Sequence, residues 1–498
     1  MIKLVILLSL CSIEVSSICQ SCFPTDFLWG ASTSSYQIEG AWNTSGKGEN
    51  IWDWFTHSFP EKIKDGSNGD VAADSYNKYL DDVELLKNLG ANVYRLSLSW
   101  SRILPNGTVN NINQEGVDYY INLLTALREN NIEPVVTIYH WDLPLPLHEM
   151  GGWTNPLIVD FYNVYADLCF SLFGDLVKYW LTLNESISQC YFGYGEGTHA
   201  PGYQESGTLT YICAYTQLLA HAKAYRTYND TYKQMYNGEV GVVLVSLWYE
   251  PLTDSDEDKT AAENGVQWAL GLFGHPIFIG NWPQVIIDRI GNLSALQGLN
   301  ASRLPEFTSE EIELIKGTYD YMGFNYYTTF YATPINNIEN IELVVQSYGV
   351  DRNVNSSVDP AWTSSASGLV YDVPTGIRSM LNWVAKNFGN PRILITENGW
   401  ASLPESSLND TERITYLQGH LCNTLKAIYI DGVNVFGYLN WSLIDNFEWD
   451  GGYDVRFGLV EVDFENSNRT RTPKQSYYAF QEIIKSNCIS HCFVKRDD

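Results

Sequence analysis

The chain is short of positive charge. Its 498 residues carry 30 Lys and Arg against 58 Asp and Glu, a formal net charge of −28. Nucleic-acid phosphates demand a basic surface, so that class of partner is excluded. Docking on anionic lipid is disfavoured for the same reason, and the negative surface serves solubility. Histidine is scarce too: the eight residues are scattered, with no His-Glu-x-x-His and no clustered ligands. The sequence therefore asks for no metal and no cofactor. No Gly-x-Gly-x-x-Gly opens the first crossover, which weakens a dinucleotide site. No Pro/Ser-rich linker and no internal repeat divides the chain, so one domain is expected over residues 18–498.

Long hydrophobic runs are missing as well. The run from Met1 to Leu10 is too short to span a membrane. With Lys3 near its start and small residues at Val15-Ser16-Ser17, it reads as a secretory signal peptide over residues 1–17. The mature chain then begins near Ile18, and Val494-Lys495-Arg496-Asp497-Asp498 is neither a lipid anchor nor an ER-retention signal. A secreted, extracellular protein is expected. Of nine cysteines, Cys11 leaves with the signal. The eight others are Cys19, Cys22, Cys169, Cys190, Cys213, Cys422, Cys488 and Cys492, an even number that allows disulfides in an oxidising compartment. Cys19 and Cys22 could tie one terminus to Cys488 and Cys492 at the other; the connectivity stays open, with zinc as the rival use of the two close pairs. Sequons start at Asn43, Asn106, Asn184, Asn229, Asn292, Asn300, Asn355, Asn409, Asn440 and Asn468. Most could carry glycans if exposed. Asn184 and Asn440 end apolar strands and are expected to stay bare.

What is present is apolar and aromatic. Hydrophobic content is 45% and aromatic content 14%, with 16 Trp and 33 Tyr. These rings fill a core, and a surplus suits a sugar site, where flat faces stack and polar edges hydrogen-bond. Strands are expected at Phe27–Ile38, Asn92–Trp100, Pro134–Trp141, Tyr179–Asn184, Val240–Tyr249, Tyr321–Tyr327, Arg392–Thr396 and Val433–Trp441. They are short, β-rich and not alternating, as in parallel strands buried on both faces. Helical spacing fills the gaps: Val83, Leu86 and Leu89; Val117, Ile121, Leu124 and Leu127; Leu157, Phe161, Val164 and Leu168; Ile377, Met380, Leu381 and Val384. Repeated strand–helix units predict an α/β fold, a closed (β/α)8 TIM barrel with long βα loops. A doubly wound open sheet is the alternative. Residues Asn336–Gly368 read as a polar loop over the barrel mouth.

Two of these runs end in a glutamate: Leu181-Thr182-Leu183-Asn184-Glu185 and Ile393-Leu394-Ile395-Thr396-Glu397-Asn398-Gly399. The C-terminal end of a barrel strand is where such folds do chemistry. A carboxylate pair there suits cleavage of a glycosidic bond. Other strand ends carry Gln37-Ile38-Glu39-Gly40, Tyr94-Arg95, Tyr139-His140-Trp141-Asp142, Asn325-Tyr326-Tyr327, Asn440-Trp441 and Asp445-Asn446-Phe447-Glu448-Trp449. One such residue alone is more often a loop anchor than a ligand. Their gathering on one rim is what makes a site.

From about Phe23 to about Ile484 the chain resembles family 1 of the glycoside hydrolases, the retaining β-glucosidases. The resemblance rests on Phe27-Leu28-Trp29-Gly30-Ala31-Ser32, Gln37-Ile38-Glu39-Gly40, His140-Trp141-Asp142-Leu143-Pro144, Leu183-Asn184-Glu185, Asn325-Tyr326-Tyr327, Thr396-Glu397-Asn398-Gly399 and Trp441 through Trp449. It implies a nucleophile at Glu397 and an acid/base at Glu185. It implies sugar hydroxyl contacts from Gln37, His140, Asn184 and Glu448 with Trp449 beside them, and a platform at Trp441. Arg95 and Tyr327 match neighbours that hold the nucleophile ionised and oriented, and Asn325 matches a residue near the acid/base. The signal and sequons make it similar to secreted insect or other animal members, with the gut lumen as one setting. The expected partner is a small-molecule glycoside bound by a monomer or homodimer, with no nucleic acid and no membrane.

Independent chemistry agrees with those roles. Retention needs two carboxyl groups about 5 Å apart, one ionised and one protonated. Two adjacent charges repel, which raises one pKa. An anion at Glu448 repels phosphate and disfavours a phospho-sugar substrate. Two positions depart from the family. Ser186 stands where Pro is usual after the acid/base, and Leu369 stands where many relatives place a tryptophan against the leaving group. Retention of Glu185 favours O-glycosides over glucosinolates. A thioglucosidase (myrosinase) is the alternative enzyme, and a non-catalytic sugar-binding barrel the alternative of another class.

Overall fold

The computed structural model describes residues 21–342, 345–406, 408–490 and 492. The expected signal peptide, Ile18, Cys19 and the last six residues lie outside the described residues.

In chain order the strands are β1 (Leu28–Ser32), β2 (Val93–Ser97), β3 (Glu133–Tyr139), β4 (Tyr179–Asn184), β5 (Glu239–Val245), β6 (Trp248–Pro251), β7 (Tyr321–Asn325), β8 (Thr329–Thr333), β9 (Asn355–Ser357), β10 (Ile393–Glu397), β11 (Val435–Trp441), β12 (Val460–Val462) and β13 (Arg471–Pro473). Eight of them close a barrel in the order β1-β11-β10-β7-β5-β4-β3-β2, every neighbouring pair parallel. Parallel neighbours need crossovers, and helices such as Ser75–Leu89, Gln114–Glu129, Thr375–Phe388 and Thr411–Tyr429 supply them. The fold is the expected (β/α)8 barrel, not an open sheet.

An apolar plug fills the barrel interior. Val93, Val135, Leu181, Val243, Leu394 and Leu439 are fully buried there, with Tyr179 and Tyr321. Side chains two residues apart on a strand share a face. The same inward face therefore continues upward into the residues that end the strands. The registers shift between Leu181 and Asn184 on β4 and between Ile395 and Glu397 on β10. Both irregularities fall just below the two glutamates, where a bulge re-aims a side chain.

Several boundaries differ from expectation. The first run stops at Ser32, and Ser35–Ile38 winds into a helical turn that carries Gln37. The fifth run breaks at Ser246 and Leu247. Its tail, β6, joins β8 and β9 in a separate three-stranded sheet above the barrel. Asn336–Gly368 is not a plain loop: it contains helices Ile338–Glu342 and Tyr348–Asp351 and strand β9, and Arg303 pairs with Asp351 at 2.7 Å to pin it. In the helix Ile158–Phe173 the expected stripe is split: Phe161 and Leu168 are half-buried against the core, and its other two members face out. Leu157 is 57% and Val164 43% exposed, while Ile158, Tyr162, Tyr165, Cys169 and Phe173 face inward. Both stripes have helical spacing, and burying the aromatic one covers more apolar area.

Disulfides join Cys22 to Cys488, Cys190 to Cys213 and Cys422 to Cys492. The first ties the two ends of the described chain together, as expected. Cys492 instead pairs with Cys422 on the helix Thr411–Tyr429, and Cys169 is buried and unpaired. Among the described residues, no helix is long and apolar enough to cross a membrane.

Candidate active site

The two glutamates stand at the tops of β4 and β10. Glu397 ends β10, and each of its oxygens accepts one hydrogen bond. Arg95 Nη1 donates to Oε1 at 2.5 Å and the Tyr327 hydroxyl to Oε2 at 2.7 Å. Arg95 rises from β2 fully buried. Its Nη2 donates to Asn184 Oδ1 at 2.6 Å and its Nε to Thr137 Oγ1 at 3.0 Å. One guanidinium thus spans β2, β3, β4 and β10, a fork geometry that lysine could not reproduce.

Glu185 follows Asn184 with φ +42°, in the left-handed region. Trp141 (φ +76°) and Trp449 (φ +54°) share that rare conformation on the same rim. Such residues cost of order 1–3 kcal/mol each and collect at functional sites. Asn325 Nδ2 donates to Glu185 Oε1 at 2.6 Å, and Ser188 Oγ donates to Oε2 at 2.7 Å. Thr396 Oγ1 donates to Asn325 Oδ1 at 2.6 Å, which fixes the amide's orientation. Burial pushes the Glu185 carboxyl up to about 7, helped by the nearby charge of Glu397; Asn325, Ser188 and Arg95 pull the other way.

Next to the pair, Asn184 Nδ2 lies 2.9 Å from His140 Nε2. Because Asn184 Oδ1 already accepts from Arg95, its amide nitrogen must be the donor here. His140 therefore accepts at Nε2 and carries its proton on Nδ1. Burial, then Arg95, holds the His140 imidazole well below its ordinary value, so the ring is neutral. Its buried Nδ1 has no hydrogen-bond partner among the described residues. Glu448 leaves a matching orphan. The residue is partly exposed, yet its Oε1 is covered and unpartnered among the described residues. Burial raises this carboxyl to about 8, against hydrogen bonds from Asn446 and Trp441 that lower it. Gln37 Nε2 donates at 2.8 Å to both Asn446 Oδ1 and the Phe447 carbonyl, tying β1's exit to the Glu448 loop.

Aromatic rings wall this pocket. Trp441 stacks on His140 with centroids 6.2 Å apart, and Trp449 packs against Trp141 and Trp52, both at 4.7 Å. Behind Glu397, a Cβ on Gly399 would meet the Trp441 carbonyl oxygen at 1.9 Å, so only glycine lets β10 and β11 exit this close together.

Glu185, Glu397, Arg95, Asn184, Asn325, Tyr327 and His140 thus form one hydrogen-bonded cluster, with Gln37, Trp441, Glu448 and Trp449 around it. Leu369 stands apart from the polar cluster, 70% exposed on its loop. Its neighbour Val370 packs with Trp441 and Tyr327, which keeps that loop beside the pocket. Asn184 and Asn440 are buried, as their expected lack of glycan requires. Ser188, Thr137 and Thr396 are not singled out by their sequence pattern, and Thr137 and Thr396 leave no signal there. Ser188 alone carries a signal, a hydroxyl three residues beyond a strand-ending glutamate. Among the described residues, no group of three or more His, Cys, Asp or Glu is placed to hold a metal ion.

The model of glycosyl hydrolase family 1 matches residues 19–489. Myrosinase 1 of Brevicoryne brassicae is 44% identical over 470 residues, covering 93% of this chain and 98% of that protein. The solved structure of an aphid myrosinase superposes with a TM-score of 0.89 at 43% identity, over 93% of this chain and 99% of that one. A mutant rice β-glucosidase, solved in a covalent complex with glucose, matches with a TM-score of 0.87 at 38% identity, over 93% and 99% of the two chains.

Proposed function

The chain belongs to glycosyl hydrolase family 1, and we propose that it is a secreted retaining β-glucosidase that removes terminal β-D-glucosyl residues from oligosaccharides or plant glucosides. The observation that carries the reading is the unequal treatment of two buried carboxyls in one cluster. Glu397 is ion-paired with Arg95, while Glu185 is pushed up to about 7. That is the division of labour double displacement needs.

Glu397 attacks the anomeric carbon as Glu185 gives its proton to the departing glycosidic oxygen. A glucosyl ester of Glu397 forms and the aglycone alcohol leaves. Esterification removes the charge on Glu397, the Glu185 carboxylate becomes easier to keep, and it takes a proton from water. Water then opens the ester, releasing glucose with its anomeric configuration retained. Around the sugar, His140 Nδ1–H and Glu448 Oε1 are a buried donor and a buried acceptor that a hydroxylated ring would satisfy. Trp441 lies under its apolar face. The three disulfides among the described residues accord with an oxidising compartment, and so with secretion after loss of residues 1–17.

Trapping tests the mechanism. A 2-deoxy-2-fluoro aryl β-glucoside should inactivate the enzyme and leave its sugar on the peptide containing Glu397. Labelling elsewhere would end the assignment. A second reading, thioglucosidase action on glucosinolates, draws on the likeness to aphid myrosinase. Turnover of aryl glucosides, cellobiose and plant glucosides, measured beside a glucosinolate, decides between them. Release of glucose from the glucosinolate alone would reverse the order of preference.

A further inference from the structure

Glu185 has to serve as an acid in one half of the reaction and as a base in the other, and its two oxygens have different neighbours. Oε1 faces Asn325 Nδ2, whose donor role is fixed because the amide oxygen is occupied by Thr396. An amide N–H can only donate, so the proton of the acid form sits on Oε2. The neighbour of Oε2 is the Ser188 hydroxyl at 2.7 Å. A hydroxyl can donate to Oε2 of the carboxylate and, on a remaining lone pair, to Oε2 of the acid, whose own proton stays free for the glycosidic oxygen.

Ser188 is also held still. Its backbone N–H donates to the Glu185 carbonyl at 2.9 Å, at the end of the short turn Ser186–Ser188. The following residue, Gln189, donates to the Tyr139 hydroxyl at 2.6 Å and accepts from Gln217 at 2.8 Å. One residue further, Cys190 is bonded to Cys213. The charged and titratable groups facing Glu185 from the other strands are Glu397 on β10, Arg95 on β2 and Tyr327 beyond β7. None of them touches Oε2 by a hydrogen bond.

We propose that Ser188 is a positioning residue for Glu185: its hydroxyl stays on Oε2 through both protonation states and favours the carboxylate, readying Glu185 to act as the base. The proposal rests on the acid/base reading of Glu185. A hydrogen bond to a charged acceptor is stronger than one to its neutral form. Removing it should therefore disfavour the carboxylate, in line with the lowering that Ser188 exerts on this carboxyl.

The test is a pair of pH profiles. In S188A the alkaline limb of kcat/KM for 4-nitrophenyl β-glucoside should move up by about one pH unit. The acid limb of kcat for 2,4-dinitrophenyl β-glucoside, which reports the second step, should move the same way by a similar amount. S188T, which keeps a hydroxyl, should return both limbs toward wild type. Unmoved limbs with a lower plateau would mean a merely structural role and overturn the proposal, as would S188T shifting as far as S188A. E185Q separates the premise from the proposal. Its kcat profile on the dinitrophenyl substrate should lose the acid limb. If the limb persists there, the acid/base reading itself fails.

Discussion

The barrel interior and the barrel mouth are built from the same strands, whose side chains are buried at both levels, and they are chemical opposites. On β2 the plug residue Val93 is followed two positions later by Arg95, and both are fully buried. On β10, Leu394 gives way to Glu397; on β11, Leu439 gives way to Trp441; on β7, Tyr321 gives way to Asn325. Below, burial of apolar side chains stabilises the fold, at roughly 25 cal/mol per Å². Above, burial strips water from an arginine, three glutamates and an imidazole, and leaves His140 Nδ1 and Glu448 Oε1 without partners among the described residues. Burying unpaired polar atoms costs about 1–3 kcal/mol each. A chain that tolerates that cost at the rim marks the rim as the place where a ligand completes the structure.

The sharpest way to break the contrast is at Glu397. Glu397→Gln should lower turnover about 10⁵-fold while far-UV circular dichroism stays unchanged. Activity within tenfold of wild type would remove the mouth from the chemistry. Glu185→Ala comes next. It should cost about 10³-fold on substrates with poor leaving groups and far less on a dinitrophenyl glucoside, with azide restoring turnover as the glucosyl azide. Equal losses on both substrates would count against a proton donor. The plug should respond in the opposite sense. Leu394→Ala should destabilise the fold by about 2–5 kcal/mol, read from urea melts, with kcat/KM of the folded enzyme kept within a few-fold. A collapse of kcat/KM at unchanged stability would show that plug and mouth are not separable.

The plug and the mouth are also unequally legible in the sequence. The strand–helix alternation and the two glutamate-ended runs carry the barrel and its rim, because parallel strands buried on both faces leave continuous apolar runs. What pattern alone misses is the choice between equivalent patterns. Leu157, Phe161, Val164 and Leu168 have the same spacing as Ile158, Tyr162, Tyr165 and Cys169, and only tertiary packing decides which stripe turns inward. The first and fifth runs read too long because their hydroxyl-bearing exits look like strand. Thr33 and Ser34 in fact lead into a helical turn, and Ser246 follows the end of β5 before β6 begins. The hydroxyls that serve the site, Ser188, Thr137 and Thr396, are ordinary in composition. The roles of Thr137 and Thr396 come from distances across strands far apart in sequence, such as Thr396 to Asn325, and that of Ser188 from the local turn after Glu185.

The smallest expected effect is on stability against pH, and it separates the two regions without touching turnover. Burial lifts Glu185 to about 7 and Glu448 to about 8 in the folded chain, above the roughly 4.3 of a free glutamate. Between those values the folded protein keeps protons that the unfolded chain has released. Stability then falls as pH rises, since the native state binds more protons. The contribution is fully present below about 4.3 and is lost as pH climbs through about 8. Asp142, also lifted to about 7 by burial, adds to the same slope. Wild-type melting temperature should therefore decline from about pH 5 to about pH 8. Glu448→Gln, which cannot ionise, should flatten that decline, whereas Leu394→Ala should lower the whole curve and leave its slope alone. If Glu448→Gln melts with the wild-type slope, then the carboxyl at the mouth is as well solvated as one on the surface, and the contrast between the two ends of the barrel loses its electrostatic basis.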